Sequence, residues 1–437
     1  MPALVGVATG DPATGWPLLP GVVLAMGGVW LSRRLPPPDD ATEGENAAAV
    51  GLAFPLAVAL SFWPHLTHGL GVLDALFEAM SGVTSTGLTR YGAISEQPFG
   101  LHFLRAWQEW VGGYALVSLT VALLSRAADG AHGMAQSDVA DDAGEDGEDE
   151  PDMAVRARRV TIAYAVLTVL CIGLVWATGQ TFGFSVLHGL TAVSTGGFSS
   201  QDDSLGSVAP LTVFVLMGFS VLGAVALSDY VRPFAEGCGT RKLLATLAAV
   251  VGLSALFGGL VLWAEGGALT PYEAFQVAAS AQTTTGYSVP TVSEMTDASK
   301  FAMTASMFVG GDVGSTAGGV KLMRLLALVV IAYAWLSSRA RMTDQKRDEA
   351  TDAIKLISWW IALTVLGWTG LILAGHGPVD ALFEWTSALN NVGLSAGVST
   401  GEAVPAATRV LLILAMWLGR VEILAAALVF RLAMRRP

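Results

Sequence analysis

The chain has 437 residues, of which 53% are hydrophobic and only 14% are charged, whereas soluble domains carry about 25% charged residues. With a mean hydropathy of +0.56, this composition excludes an ordinary soluble enzyme. The net charge of −12 is not spread evenly, because ten acidic residues lie in 127–155, which contains no Lys or Arg; no large basic patch remains, and nucleic-acid binding is disfavoured.

Nine apolar stretches have about the length that a membrane-spanning helix needs, roughly 20 residues. The stretches are 16–32, 47–64, 101–125, 157–178, 208–228, 241–264, 301–336, 352–376 and 407–434. The sequence therefore predicts an all-α polytopic membrane protein surrounded by membrane lipid.

Basic residues are sorted to one side of this predicted topology. With the N-terminus outside, only Arg90 and Lys300 fall in outer loops, whereas most basic residues fall in inner loops and the C-terminal tail. The positive-inside rule then predicts a multi-pass protein of the cell membrane with a cytoplasmic C-terminus. A signal peptide at the first stretch is the alternative, although Arg33 and Arg34 follow that stretch instead of preceding it.

Four shorter apolar segments, 72–82, 183–193, 272–282 and 379–389, lie between the spans. With about ten residues each they are too short to cross a bilayer. Non-helical backbone at membrane depth is tolerated only where it lines a cavity or is buried in protein, so we predict re-entrant half-helices.

Each half-helix belongs to one of four copies of a short signature. The copies are ALFEAMSGVTSTGL (75–88), SVLHGLTAVSTGGF (185–198), AFQVAASAQTTTGY (274–287) and ALFEWTSALNNVGL (381–394). In the second copy only Gly197, and not Gly196, has a Ser or Thr six residues earlier, as the other copies do. The equivalent glycines are therefore Gly87, Gly197, Gly286 and Gly393.

A single copy of this signature would be an ordinary helix C-cap, but four copies in one chain can surround one axis. Such a ring can line a pore with backbone carbonyl oxygens, which replace the hydration shell of a monovalent cation. The negative ends of the half-helix dipoles would favour the same ion. The predicted fold class is four pseudo-repeats of helix, pore half-helix, filter loop and helix around one central pore, plus one N-terminal helix.

The repeats divide the chain into the following predicted parts. These are 1–46 (N-terminal helix and loop), 47–126 (first repeat), 127–155 (acidic cytoplasmic linker), 156–229 (second repeat), 230–240 (linker), 241–340 (third repeat) and 341–437 (fourth repeat). The acidic linker has too few apolar residues to pack, so we expect it to be solvated. A regulatory or cation-concentrating role for it is the alternative.

Nine residues before the four glycines stand Glu78, His188, Val277 and Glu384. We do not expect polar groups in half-helices to face lipid, because exposing them to it is costly. One interpretation is hydrogen bonds that tie each half-helix to its neighbours, and the other is an outer ring that attracts cations.

Two further features lie in the last spans of the third and fourth repeats. Residues 310–319 contain five glycines, Gly310, Gly311, Gly314, Gly318 and Gly319, which cannot hold a regular helix comfortably. Arg420 lies in an apolar run, so it must find oxygen partners or water. Glu422 is expected on another helix face, with Arg105 and Lys321 as possible partners.

The four signatures, RAWQEWVGGY at 105–114, MFVGGDVGSTAGGVKLMR at 307–324 and GRVEI at 419–423 resemble the Trk/Ktr/HKT superfamily of potassium transporters. The resemblance covers nearly the whole chain. It implies potassium-ligating filter residues, which are Ser85, Thr86, Gly87, Thr195, Gly196, Gly197, Thr284, Thr285, Gly286, Asn391, Val392 and Gly393.

The resemblance also implies an intramembrane gating loop at 310–319 and an arginine that faces the pore beside it. The corresponding gate residues are Gly310, Gly311, Asp312, Gly314, Ser315, Thr316, Gly318, Gly319, Lys321 and Arg420. A purely structural ion pair is the alternative role for Arg420. In the plant branch of the superfamily, serine at the first filter glycine accompanies sodium transport, so Gly87 favours potassium.

The expected function is gated potassium uptake without an enzymatic activity. The resemblance implies a homodimer and a cytoplasmic TrkA-like regulatory subunit with RCK domains. We expect no cofactor in this chain, a nucleotide (NAD or ATP) on the regulatory subunit, and no metal besides K⁺ at the filter. A proton- or sodium-coupled symporter remains open, and an intramembrane protease is a remote alternative because no GxSxG or paired-aspartate motif is present.

Overall fold

The computed structural model describes residues 1–34, 43–129, 153–230, 239–326, 329, 344–401 and 403–421, and their regular structure is entirely helical. The helices are α1 (Pro2–Ala8), α2 (Pro12–Gly15), α3 (Leu19–Ser32), α4 (Glu43–Ser61), α5 (Trp63–Thr67), α6 (Val72–Val83), α7 (Phe99–Asp129), α8 (Met153–Ala177), α9 (Phe182–Val193), α10 (Pro210–Gly223), α11 (Gly239–Ala264), α12 (Pro271–Gln282), α13 (Asp297–Val309), α14 (Asp344–Leu373), α15 (Pro378–Leu389) and α16 (Ala406–Arg420). Short 3₁₀ turns cover Trp16–Leu18, Leu227–Tyr230 and Val292–Glu294. The predicted all-α class is confirmed.

The four predicted half-helices are α6, α9, α12 and α15, each of 12 residues. Local sequence fixes where they begin. Thr181 accepts a hydrogen bond from the Phe184 N–H at the start of α9, and Thr270 with Glu273 forms a capping box at the start of α12. Proline occupies the first turn of α12 and α15, where its missing N–H costs nothing.

Fewer helices than predicted are long and apolar enough to cross a membrane. Within the described residues there are four, Pro12–Ser32, Val155–Ala177, Thr240–Ala264 and Ile354–Leu373. The predicted spans at 208–228 and 407–434 begin as helices of only 14 and 15 residues, α10 and α16. Both 301–336 and 407–434 continue outside the described residues. Helix α10 is thus shorter than its apolar sequence suggested, whereas α7, which follows the first half-helix, extends over 31 residues.

The chain begins with a helical hairpin that the sequence did not indicate. Helices α1 and α2 pack against each other and against α7. In the apolar contact, Ala3 of α1 and Leu18 of the following 3₁₀ turn are buried on Leu101 and Leu104 of α7. Asp11 accepts the Thr14 N–H at the start of α2, which begins with a proline and so needs few other caps.

Each half-helix packs against the same kind of neighbours. It contacts the helix before it and the helix after it, as α9 contacts α8 and α10. It also contacts the last helix of another group: α6 packs on α16, α9 on α7, α12 on α10 and α15 on α13. Read in chain order, these contacts form a closed cycle, which brings the C-terminal ends of all four half-helices together.

Candidate functional site

The four half-helices end in the same backbone motif. The N–H groups of Thr86, Gly196, Thr285 and Val392 donate to the carbonyl oxygens five residues earlier at 2.8–2.9 Å. This is the longer bond of a Schellman motif, whose other mark is a left-handed residue after the helix. That residue usually is glycine, but here Ser85, Thr195, Thr284 and Asn391 adopt φ of 49–55°. We call 84–87, 194–197, 283–286 and 390–393 the glycine loops.

The glycine at the end of each loop also has a positive φ, between 81° and 93°. A Cβ added to it would overlap a carbonyl oxygen of the next loop. Gly87 lies against the oxygen of Gly196, Gly197 against Thr285, Gly286 against Val392, and Gly393 against Thr86. The four loops therefore form a closed ring in chain order, in which both conformation and space demand glycine.

The side chains of the left-handed residues point to the side of the ring where Arg420 and Thr316 lie, which we call the far side. Ser85 Oγ accepts from Arg420 Nη2 at 3.2 Å, and Thr195 Oγ1 donates to Thr316 Oγ1 at 3.2 Å. Thr284 Oγ1 accepts the Gly318 N–H at 2.8 Å. In the fourth loop, Asn391 Nδ2 donates to Thr86 Oγ1 at 3.0 Å and to Met416 O at 2.9 Å. These contacts are a reason why polar residues, and not glycine, occupy the left-handed positions.

Thr316 and Gly318 belong to the glycine-rich segment, 310–321, which leaves α13 at Gly310 with a φ of 69°. The segment is bonded to the end of α10: the N–H of Asp312 donates to Ala224 O at 2.9 Å and that of Thr316 to Gly223 O at 3.1 Å. Most of its residues are buried. Gln282, the last residue of α12, donates to Gly310 O at 2.7 Å. The predicted break in the helix is thus a non-helical but well hydrogen-bonded segment on the far side of the ring.

Arg420, at the end of α16, is 1% exposed. Its Nη1 donates to Thr316 O at 3.1 Å and its Nη2 to Ser85 Oγ, so it joins the glycine-rich segment to the first loop. A small cavity beside it is also lined by Lys321 and Arg324. Lys321 Nζ donates to Ala317 O. Three cationic side chains therefore face one cavity immediately beyond the ring.

Glu422, for which Arg105 was an expected partner, lies outside the described residues, so that pairing stays a prediction. The described ion-pair partner of Arg105 is Glu78. The Arg105 Nε donates to Glu78 at 2.8 Å, and its guanidinium stacks on Phe198 at 3.8 Å from the ring centre. The ion pair is almost completely buried. It joins the first half-helix to the segment that follows the second loop.

On the opposite side of the ring, which we call the near side, one residue of each half-helix hydrogen-bonds to the segment that follows the glycine of its own loop. Glu78 accepts the Arg90 N–H at 2.8 Å, and Glu384 accepts the Ala396 N–H at 2.8 Å. His188 Nε2 lies 3.2 Å from Ser199 Oγ. In α12 the equivalent contact is made by Gln276, which donates to Tyr287 O and accepts the Val289 N–H, whereas the predicted Val277 is buried in the apolar core.

These contacts agree with the hydrogen-bonding interpretation of the four positions, because the carboxylates of Glu78 and Glu384 are enclosed by donors. The sequence missed Gln276 because it lies one residue from the expected offset. It also missed Glu109 of α7, which is fully buried and accepts the Phe198 N–H. Its signals in the sequence were a carboxylate within the apolar stretch 101–125 and a place in the segment RAWQEWVGGY.

A family model described as TrkH, cation transport protein, matches residues 52–236 and 270–437. Among curated proteins, the chain is 24% identical over 433 residues to an uncharacterized cation transporter of Methanocaldococcus jannaschii, covering 94% of this chain and 87% of that protein. It is 29% identical to the Trk system potassium uptake protein TrkI of Halomonas elongata, covering 81% of this chain and 76% of the relative.

The fold has a counterpart among solved structures. The crystal structure of the potassium transporter TrkH from Vibrio parahaemolyticus superposes with a TM-score of 0.82 at 23% sequence identity, covering 100% of this chain and 95% of that one. At this identity the match shows the shared helical architecture.

Proposed function

Because this chain belongs to the TrkH family of cation transport proteins, we propose that it mediates potassium uptake across the cell membrane through the ring of glycine loops. The observation that carries the proposal is the closed ring, in which four left-handed glycines pack against four carbonyl oxygens. Carbonyl rings of this kind replace the hydration shell of K⁺. Four relatives of the chain in Halomonas, Vibrio and Salmonella are named as Trk system potassium uptake proteins.

We assign the selectivity filter to the last three residues of each loop, arranged as four pseudo-repeats about one pore. The residues are Ser85, Thr86, Gly87, Thr195, Gly196, Gly197, Thr284, Thr285, Gly286, Asn391, Val392 and Gly393. The hydroxyls of Thr86 and Thr285 are engaged with Thr84 and Thr283 at 2.7 and 2.8 Å, which favours the main-chain carbonyls as the ion ligands.

The glycine-rich segment is proposed as the gate. Its bonds to the end of α10 and to Thr284 place it across the far side of the ring, and Arg420 fixes it to Ser85. Lys321 and Arg420 also bring positive charge to the cavity there. A cation that leaves the filter would meet this charge, so the described arrangement corresponds to a closed pathway that opens when the segment moves.

The remaining assignments complete the proposal. We place the N-terminus outside and the C-terminus in the cytoplasm, where a homodimer would meet a regulatory subunit with RCK domains. The nucleotide, NAD or ATP, would bind that subunit. The names of the relatives refer to a Trk system, which is compatible with more than one component. A proton- or sodium-coupled mechanism is distinguished by whether flux follows the membrane potential alone.

The test is cation flux from vesicles that contain the full chain alone, measured with and without a membrane potential and a proton gradient. Gly87→Ser should lower the permeability ratio of K⁺ to Na⁺ about tenfold, since its Cβ would displace the Gly196 carbonyl and the left-handed φ disfavours it. Gly92→Ser is the matched control, because Gly92 lies in open space shortly after the same loop. An unchanged ratio in Gly87→Ser would contradict the filter assignment.

A further inference from the structure

Glu109 lies in the middle of α7, 0% exposed, directly behind the second glycine loop. Both of its carboxylate oxygens are 3.2 Å from the N–H of Phe198, the residue that follows Gly197. Its own carbonyl oxygen accepts from Ser85 Oγ at 2.8 Å, so the same residue also contacts the first loop. Among the described residues this N–H is the only donor to the Glu109 side chain, and burying a carboxyl group with so few partners is costly, which requires a reason for its presence.

The second loop differs from the others at the residue before its glycine. That position is Thr86, Thr285 and Val392 in the first, third and fourth loops, but Gly196 in the second. In the first and third loops the threonine hydroxyl bonds another hydroxyl behind the backbone, at 2.7 and 2.8 Å. Gly196 has no side chain, so the second loop lacks the group that fills the corresponding space and forms this hydrogen bond in the first and third loops.

Glu109 fills the space that Gly196 leaves. A Cβ built on Gly196 would have Glu109 atoms as its three nearest neighbours, with Oε2 at 2.5 Å and Cβ at 2.8 Å. Both distances are far below van der Waals contact. Gly196 and Glu109 therefore fit each other. While Glu109 is present, position 196 cannot hold a threonine such as Thr86 of the first loop.

The corresponding positions of α10 and α16 do not provide such a group. Gly112 lies against the last carbonyl of its half-helix, as do Gly223 and Gly419 in α10 and α16. Three residues before these glycines stand Glu109, Ser220 and Met416. Of these three equivalent positions, only the one beside Gly196 carries a side chain with a carboxylate.

Resting on the proposed function, we propose that Glu109 is a selectivity-determining positioning residue of the filter. From α7 it supplies the volume and the N–H acceptor that the second loop lacks. By filling the space behind Gly196 and bonding Phe198, it holds the Gly196 and Gly197 carbonyls at the spacing that K⁺ requires.

A double-mutant cycle on the full chain in vesicles tests this complementarity. Glu109→Gly should lower the K⁺/Na⁺ permeability ratio about tenfold, and Gly196→Thr should lower K⁺ flux per molecule about tenfold because threonine collides with Glu109. The double variant should recover the flux and the ratio to within about threefold of the unmodified chain, since threonine then fills the space as in the first loop. Glycine is used because an alanine Cβ at 109 would still lie 2.8 Å from the new Cβ.

Glu109→Gln keeps the volume and one acceptor oxygen, so its ratio should stay within about twofold of the unmodified chain. Independent, multiplicative losses in the double variant would overturn the proposal, as would an unchanged ratio in Glu109→Gly. If Glu109→Gly yields no folded protein, recovery of folding in the double variant is the same rescue, and its absence overturns the proposal. A chain that conducts no K⁺ refutes the proposed function instead, whereas a K⁺-selective chain that responds to Gly87→Ser but not to Glu109→Gly refutes only this inference.

Discussion

Replacing Arg420 by alanine should raise the basal flux of K⁺. The substitution removes both hydrogen bonds by which α16 holds Thr316 and Ser85. It also removes a buried positive charge adjacent to the glycine loops. If an ion at the level of the loops lies about 5 Å from the guanidinium, with an effective dielectric constant of about 20, their repulsion is about 3 kcal/mol. Loss of that barrier corresponds to an increase in flux of roughly a hundredfold.

The assay is K⁺ flux from vesicles, normalised to the number of correctly folded molecules. Arg420→Lys separates charge from geometry, because lysine keeps the positive charge but loses the planar fork of donors. We expect its flux to stay near that of the unmodified chain. Arg409→Ala is the matched control on the same helix, since Arg409 is partly exposed and pairs with Asp74 at 2.9 Å, away from the glycine-rich segment.

Two results would refute this reasoning. Normal flux per molecule in Arg420→Ala would show that the residue neither blocks nor holds the pathway closed. An equal rise of flux in Arg420→Lys would show that the positive charge is not the barrier, and that only the hydrogen bonds matter.

Glu384→Gln should destabilise the fold by about 1–3 kcal/mol, because an amide nitrogen cannot accept a hydrogen bond from one of the donors that surround this buried carboxylate. Thermal unfolding measures the loss, and Glu294→Gln, at an exposed position, is the control. An equal effect of the two substitutions would contradict the prediction. Deleting 136–152 should leave K⁺ flux intact, and loss of flux in a folded deletion variant would show that the acidic linker is more than a spacer. The Ser95 hydroxyl and the N–H groups of Ser95 and Ile94 hold the pKa of Asp202 below its usual value. Its contribution to stability should therefore be present above about pH 4 and be lost as the pH falls through the lowered pKa; Asp202→Asn should abolish this part of the pH dependence of thermal stability, and an unchanged pH profile would count against the contact.

The half-helices could be predicted from the sequence because each combines an apolar segment of fixed length with a polar run and a glycine. Their observed bounds agree with the predicted ones to within a residue. The signature in four copies also identified the loops that the fold brings together. Local composition and repetition were sufficient for both.

Contacts between distant parts of the chain could not be predicted in this way. Gln276 bonds Val289 from one residue before the expected position, because packing decides which face of α12 meets that segment. Arg105 pairs with Glu78 because the fold buries the two side chains together. The fit of Glu109 to Gly196 depends on the approach of two segments with no common pattern. Helix α10 ends where N–H groups of the glycine-rich segment bond to the carbonyl oxygens of Gly223 and Ala224, a contact that hydropathy alone does not predict.

The closure of the ring constrains how this protein can be made. The fourth loop meets the first through the bond from Asn391 to Thr86, which are 305 residues apart in the chain. Each of the four glycines lies against a carbonyl oxygen of the next loop, so a chain with three loops would leave the ring open. Because contacts of such long separation form late, the ring is completed only after the last repeat has been synthesised and inserted. A chain that ends before residue 393 would have most of the described helices but no closed ring of glycine loops.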